Sequence, residues 1–359
     1  EGAFHTLVSK TIREQYPHFK NSTTGVRSYL LVKTLLQENG LNFNHLPKGL
    51  VPFHKYNKYI TTAFEEQLYE SAYYASVKNE VYLHFTFAEQ HISAFKKEFA
   101  AIQSRVEKKT RTKVHISYSV QKKNTNTIAV NEMNKPIRDD QSRLVFRPSG
   151  HGALIENLND VDADMIFLKN KDNVVVEAYV EEIAYHKKLL AGKLIWVQNK
   201  IFKFLKLIDE DRVTDETVKD LRSFLWNELN IKDIPDTIEE IKRVLDRPLR
   251  VCGVVKNTGE PGGGPFWVRS LNGVTSLQIV EMSQIDTNDS HQHAIVNEAT
   301  HFNPVDIVCG VRNHLGEKYD LLNYTDPMSG IITQKSFGGT TLKALELPGL
   351  WNGAMSNWN

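Results

Sequence analysis

Two cysteines in 359 residues leave almost nothing for a disulfide scaffold or a cysteine-based metal site. Cys252 and Cys309 each lie in an apolar, strand-like run with no neighbouring cysteine or metal-spaced histidine, and they read as structural thiols of a reducing cytoplasm. No stretch approaches the roughly 20 apolar residues of a membrane span, and residues 1–14 mix charge and polarity where a signal peptide needs an apolar block. A soluble, cytoplasmic protein is expected. An excess of one charge is also missing: 44 Lys and Arg face 43 Asp and Glu, a formal net of +1. No overall field therefore draws the chain to nucleic acid or to a membrane surface, and neither is expected as a partner. A Walker sequence, a Gly-x-Ser-x-Gly elbow and an HExxH pair are absent although 13 histidines are present, which leaves little support for a P-loop NTPase, a serine hydrolase or a zincin. No fixed-period repeat or low-complexity segment stands out.

What is present is alternation. Apolar positions at helical spacing run through 27–44 and 63–79, followed by the β-branched and aromatic run 80–87, a helix over 88–102 and a strand over 113–120. A glycine-rich turn and short helix at 147–158 and a strand at 163–169 continue the order. The pattern predicts an α/β fold, Rossmann-like, with a mainly parallel mixed sheet flanked by helices. Between 180 and 247 it turns helical, with helices expected over 184–208, 214–229 and 237–244, each of the last two behind a Thr or Asp cap signal. Strands return at 249–256, 276–281 and 305–308, separated by a flexible, aromatic loop at 259–267. The expected division is a nucleotide-binding half over 1–179, a helical insertion over 180–247 and a second half of the core over 248–359.

The most informative segment is Arg147-Pro148-Ser149-Gly150-His151-Gly152, together with the strand that follows it and Asp172 beyond. Glycines at 150 and 152 let a planar ring or a phosphate come close to the backbone, because no Cβ stands in the way, and a helix starting there offers free N–H groups to an anion. An ordinary tight turn is the blander alternative, as a solvated loop acid is for Asp172. An acid past the carboxyl end of a strand is also placed to hold a divalent cation, Mg²⁺ in a nucleotide site. Lys48, fixed between Pro47 and Gly49, would meet phosphate charge with little entropy loss. His291-Gln292-His293 is the nearest approach to a histidine pair, and it reads as an exposed polar loop.

Several separated pieces resemble the sugar-nucleotide pyrophosphorylases of the UDP-N-acetylhexosamine and UDP-glucose type. Pro47-Lys48-Gly49-Leu50 is similar to their catalytic lysine segment, and Phe85-Thr86 to a strand ending in Met-Thr-Ser. Gln121 stands where that family has a uracil-reading glutamine, and Pro148-Ser149-Gly150-His151-Gly152 looks like its Pro-Pro-Gly-His-Gly. Lys171-Asp172-Asn173 resembles the metal strand, Ile279-Val280-Glu281-Met282-Ser283-Gln284 resembles Val-Val-Glu-Tyr-Ser-Glu, and Trp351-Asn352-Gly353-Ala354 resembles a sugar-binding Phe-Asn-Ala-Gly turn. The whole chain is more similar still to an uncharacterised bacterial family known only as a domain of unknown function.

The resemblance implies a nucleotide-diphospho-sugar transferase (GT-A-like) fold and nucleotidyl transfer from a nucleoside triphosphate, UTP by preference, to a sugar 1-phosphate, with Mg²⁺ as cofactor. It gives Lys48 the catalytic role, Asp172 the metal, and Gln121, Gly150, His151, Gly152, Asn173, Glu281 and Asn352 the substrate. Pyrophosphorylases open on a Gly-Gly-x-Gly-Thr-Arg-type loop; nothing like it precedes Lys48, and it is expected upstream of Glu1. A non-catalytic nucleotide-sugar-binding protein, gripping its ligand or a partner through the 259–267 loop, and a glycosyltransferase on the same fold are the alternatives.

Overall fold

The computed structural model describes residues 3–259, 263–270, 273–286, 288–337 and 340–359. They divide into two compact units, residues 1–119 with 170–186 and residues 120–169 with 187–359. Among the described residues no helix is long and apolar enough to cross a membrane.

The first unit contains helices α1 (Ala3–Gln15) and α2 (Thr24–Leu36), the hairpin β1 (Pro52–Lys55) and β2 (Ile60–Thr62), helix α3 (Ala63–Tyr74), strand β3 (Glu80–Phe87), helix α4 (Ile92–Thr110) and strand β4 (Lys113–Val120). Helix α3 starts where the Thr62 hydroxyl accepts the Glu65 N–H, and Glu65 and Glu66 in its first turn suit the positive end of the helix dipole. Phe64 and Leu68 face a core with Val81, Phe95, Ile102, Val106 and Val114. The polar residues of α3 are buried as well, with Glu65, Glu66 and Glu70 each 1% exposed. Arg105 donates twice to Glu65 (2.8 and 2.7 Å), while Tyr56, Thr61 and His54 converge on Glu66. Gln67 donates to the carbonyls of Asn170 and Lys171, and Glu70 accepts the Val175 N–H. Burial pushes the Glu65 carboxyl up and Arg105 opposes it.

Contacts between β3 and β4 advance in the same direction along both strands: Asn79 with Lys113, Tyr82 with His115, His84 with Ser117 and Ser119, Thr86 with Ser119. The pair is therefore parallel, with α4 as its crossover, as the helix and strand spacing of 80–120 predicts.

The second unit holds β5 (Thr127–Val130), β6 (Phe146–Arg147), α5 (Ile155–Asp160), β7 (Met165–Leu168), the part of α6 (Val180–Asp209) from Lys187 onward, α7 (Asp215–Asn227), α8 (Ile238–Leu245), β8 (Leu249–Cys252), β9 (Val255–Lys256), the hairpin β10 (Gly264–Arg269) and β11 (Thr275–Val280), α9 (Ser290–Asn297), β12 (His301–Phe302), β13 (Ile307–Gly310), β14 (Ile331–Phe337) and β15 (Thr340–Glu346). Here the expectation of a mainly parallel sheet is corrected. β7 pairs with β13, and β13 with β8, both antiparallel, and the remaining pairs of this unit, in the sheet β14-β15-β5-β6 and in β12-β9, are antiparallel too. A short apolar run such as Met165-Ile166-Phe167-Leu168 reads the same whether its covered neighbours run with it or against it, so composition could not set the direction.

Two local expectations also change. Of the 259–267 loop, residues 260–262 lie outside the described residues and Gly264 to Trp267 are strand, each paired across β10-β11. His291 and His293 lie on α9, not in a loop.

Helix α6 buries Ala191, Leu194, Val197, Ile201, Phe204 and Leu205, a three- and four-residue spacing that keeps one face toward Leu221, Phe224 and Leu225 of α7 and Ile241 and Leu245 of α8. The Thr214 and Thr237 side chains cap α7 and α8 as their sequences predict. Both thiols are protected: burial raises Cys309 and Cys252 above the ordinary thiol range. Leu205 is fully buried, and Leu205→Ala is expected to cost about 2–5 kcal/mol. Urea denaturation checks this as a lower midpoint with an unchanged slope.

Candidate functional site

The site in the second unit is built on two glycines. Gly150 has φ +76°, a left-handed backbone that a side chain disfavours. A Cβ at Gly152 would stand 1.9 Å from the Pro348 carbonyl oxygen. The close approach that the sequence reserved for a ring or a phosphate is thus made by the chain's own segment 346–349, with Leu347 N–H donating to Ser149 O at 2.9 Å. Ser149, fully buried, donates to Thr125 O at 2.6 Å and anchors the other side of the loop.

This seating delivers His151. Its ring stacks on Trp351, with centroids 4.2 Å apart and planes 20° from parallel. Nδ1 accepts the Leu350 N–H at 3.0 Å, so the ring proton belongs on Nε2, which lies 3.4 Å from Glu281 Oε1. The same carboxylate oxygen accepts the Trp351 indole N–H at 2.9 Å. Glu281 caps the turn Met282–Gln284, and Gln284 Oε1 accepts both the Glu281 N–H (3.0 Å) and Asn352 Nδ2 (2.8 Å). Asn352 is 4% exposed, and its Oδ1 has no hydrogen-bond partner among the described residues. The His151 ring holds the Glu281 carboxyl below its ordinary range against the upward pull of burial, helped by Trp351 and Asn352.

Gln121 lies outside this group but is tied to it: its Nε2 donates to Thr125 Oγ1 at 3.3 Å, and Thr125 O receives Ser149. Lys48, Asp172 and Asn173 belong to the first unit. Lys48 opens a short turn after Pro47, and its ammonium lies 3.9 Å from Asp172 Oδ2, both water-facing. Asp172 is not at a strand end as expected; it sits in a turn four positions past Leu168, a turn that Gln67 holds through the carbonyls of Asn170 and Lys171. Asn173 N–H closes that turn on Asn170 O. Among the described residues no three His, Cys, Asp or Glu gather as a metal cage. A single exposed carboxylate fits only the Mg²⁺ mode in which waters and substrate phosphates complete the octahedron.

Trp351 and Gln284 belong to this hydrogen-bonded cluster without having been candidates from the sequence, though both lie inside segments that resemble the pyrophosphorylases. An aromatic next to Asn352 and an amide three residues after Glu281, the capping-box spacing, were the available signals.

The family described as a domain of unknown function, DUF4301, matches over residues 1–359. The chain belongs to that family. No curated protein matches it. Among solved structures, this DUF4301 protein is similar to a mutant Leishmania major UDP-glucose pyrophosphorylase in complex with UDP-glucose (13% identity, 86% of this chain and 55% of that one, TM-score 0.42) and to a second mutant of the same enzyme with the same ligand (12%, 87% and 56%, 0.46). An Entamoeba histolytica protein assigned as a UDP-N-acetylglucosamine pyrophosphorylase also matches (13%, 85% and 65%, 0.40). The DUF4301 chain spans just over half the length of the Leishmania structures.

Glu281 titrates in the folded DUF4301 chain below its ordinary value, so its contribution is complete above the unfolded carboxylate range and is lost as pH falls through the depressed folded value. Tryptophan emission is expected to change in that acidic step as the Trp351 acceptor is protonated, and the step should vanish in Glu281→Gln.

Proposed function

We propose that the chain handles nucleotide sugars as a sugar-1-phosphate nucleotidyltransferase of the uridylyltransferase type. The observation that supports this most is the network that joins His151 and Trp351 at Glu281 Oε1 and Glu281 and Asn352 at Gln284 Oε1, and that leaves the buried Asn352 Oδ1 without a donor among the described residues. An unpaired buried acceptor costs about 1–3 kcal/mol. A hydroxyl or an acetamido N–H of a sugar supplies the missing donor, and the carboxylate of Glu281 accepts a second hydroxyl. The order of the resembling segments, from Lys48 to Asn352, supports the same class, and with it the nucleotide-diphospho-sugar transferase (GT-A-like) layout, for which the parallel β3-α4-β4 unit is the Rossmann-like piece. The division into 1–179, a helical insertion over 180–247 and 248–359 is proposed with it.

In this reading an oxygen of the sugar 1-phosphate attacks the α-phosphorus of UTP, the bond between α-phosphorus and bridging oxygen breaks, and pyrophosphate leaves. Such chemistry is chiefly positioning and charge neutralisation. Lys48 meets phosphate charge. Asp172, with Asn173 beside it, would hold Mg²⁺, whose charge would offset that of the phosphates. Gln121 reads the base, Gly150 and Gly152 seat the loop that carries His151, and His151, Glu281 and Asn352 bind the sugar.

Isothermal titration with UTP, UDP-glucose and UDP-N-acetylglucosamine in Mg²⁺ tests the binding, and pyrophosphate release on adding sugar 1-phosphate tests the transfer. Asn352→Ala is expected to weaken UDP-sugar binding roughly tenfold, the worth of about 1.4 kcal/mol, and to leave UTP binding nearly unchanged. Lys48→Ala should lower turnover more than base recognition, and Asp172→Asn should remove the Mg²⁺ dependence. Heat-silent titrations with all three nucleotides sink the proposal; binding without pyrophosphate release moves it to a non-catalytic nucleotide-sugar-binding protein, and sugar passed to an acceptor with the nucleotide retained moves it to a glycosyltransferase.

A further inference from the structure

A groove in the second unit, at helix α8 and the residues on either side of it, is lined by Ile234, Pro235, Asp236, Glu240 and Val244 together with two arginines, Arg243 and Arg247. Arg247 follows the end of α8 and is half-buried, yet its side chain makes a single hydrogen bond, from Nε to the Arg243 carbonyl at 3.2 Å. A guanidinium carries five N–H donors, so four of them have no acceptor among the described residues. Burial without a counter-ion pulls this side chain below the usual arginine range. Nearby acids are engaged elsewhere: Asp246 accepts the Tyr319 hydroxyl at 2.7 Å, Glu240 accepts the Thr237 hydroxyl at 2.9 Å, and Asp236 lies 3.6 Å from Arg222. Arg243 has no ion pair among the described residues.

A bland account makes these arginines complements to the negative end of α8. It does not explain the burial, because an exposed cation serves the dipole as well, and because two of the last carbonyls of α8 are already taken by Asn359 Nδ2, at 2.8 Å from Val244 O and 3.3 Å from Leu245 O. A half-buried charge is costly unless something pairs with it.

We infer that Arg247 and Arg243 form an oxyanion site that takes a phosphate group, with Arg247 as its inner fork and Arg243, one helical turn before it, as its outer one. Two planar forks offer paired N–H donors to a tetrahedral anion with several acceptor oxygens, and this exceeds what a single carboxylate can use. Apolar walls at Ile234, Pro235 and Val244 lower the local dielectric and strengthen the contact. The carboxylate of Glu240 on the same groove favours a phosphate whose ester arm carries a hydroxyl or an amine.

Calorimetric titration with inorganic phosphate and with acetate, at constant ionic strength set by chloride, tests the site directly. Wild type is expected to bind phosphate and to melt at higher temperature in its presence. Arg247→Met should lose at least tenfold in phosphate affinity and fold at least as well, since an apolar isostere relieves a buried unpaired charge. Arg243→Ala, an exposed change, should lose several-fold, and Arg247→Lys should not restore the site because it lacks the fork. Phosphate binding of equal strength in wild type and Arg247→Met, or none in wild type, overturns the inference, and acetate binding as tight as phosphate overturns the phosphate class. Lys48→Ala run in parallel separates this site from the proposed nucleotide chemistry, because phosphate affinity that falls there and not in Arg247→Met belongs to Lys48.

Discussion

A carbonyl oxygen that occupies the space of a missing side chain sets the geometry of the second unit. Pro348 O stands where a Cβ on Gly152 would be, and the Glu346 carboxylate stands 2.8 Å from the Cβ position of Gly150. Two strands of backbone this close cannot slide, so the residues that follow each of them, His151 on one side and Leu350 to Asn352 on the other, meet in one fixed register. The stack of His151 on Trp351, the Leu350 amide on Nδ1 and the shared carboxylate of Glu281 all follow from that contact. Gly349 extends the same constraint, since a Cβ there would lie 2.1 Å from Asn352 Oδ1. Glycine here serves close packing of the chain on itself, and the candidate site is made by the side chains it brings together.

The first unit solves a different problem, the burial of charge. Helix α3 puts three glutamates and a glutamine out of water, and each is matched from another segment: Arg105 from α4, His54 and Tyr56 from the β1-β2 hairpin, and backbone of 170–175 for Gln67 and Glu70. Removing one partner leaves an uncompensated buried charge, which is far costlier than the pair is stabilising. The network therefore specifies a conformation more than it adds stability. Its consequence for function lies in the 170–173 turn, whose carbonyls Gln67 holds, so that Asp172 is presented to Lys48 by a rigid helix through a hydrogen-bonded backbone.

How much of this was legible depends on the kind of residue. Helices α6, α7 and α8 were readable because their apolar residues recur at three and four and their caps are Thr-x-x-Thr and Thr-x-x-Glu; β3, α4 and β4 were readable from the switch of period. Strand direction in the second unit was not, because β7 finds its partner β13 about 140 positions later and nothing local encodes that choice. The burial of Glu65, Glu66 and Glu70 was equally hidden: a helix with acids on it predicts a solvated face, and only tertiary partners overturn this. Of the candidate site, Gln121, Gly150, His151, Gly152, Glu281 and Asn352 were named from sequence and lie in one unit, three of them, His151, Glu281 and Asn352, in a common network, whereas Trp351 and Gln284 went unremarked because an indole N–H or an amide acquires a role only from what stands opposite it.

The balance of donors and acceptors in that network limits what can bind there. His151 and Trp351 both direct N–H groups at Glu281 Oε1, which spends these two ring donors inside the cluster, while Gln284 Oε1 is filled by Asn352 Nδ2 and the Glu281 amide. What remains is acceptor capacity, at the second oxygen of the Glu281 carboxylate and at the buried amide oxygen of Asn352, beside an indole ring. An anionic group gains nothing from such a surface and loses its hydration. A neutral ligand rich in O–H or N–H donors, with a C–H face to lay on an aromatic ring, gains on each count, and leaving those acceptors unpaired is what a ligand lacking the donors would pay in affinity. On the proposed reading, such a cluster would favour the polyol part of a ligand over its phosphates, since only the former brings donors to Glu281 and Asn352.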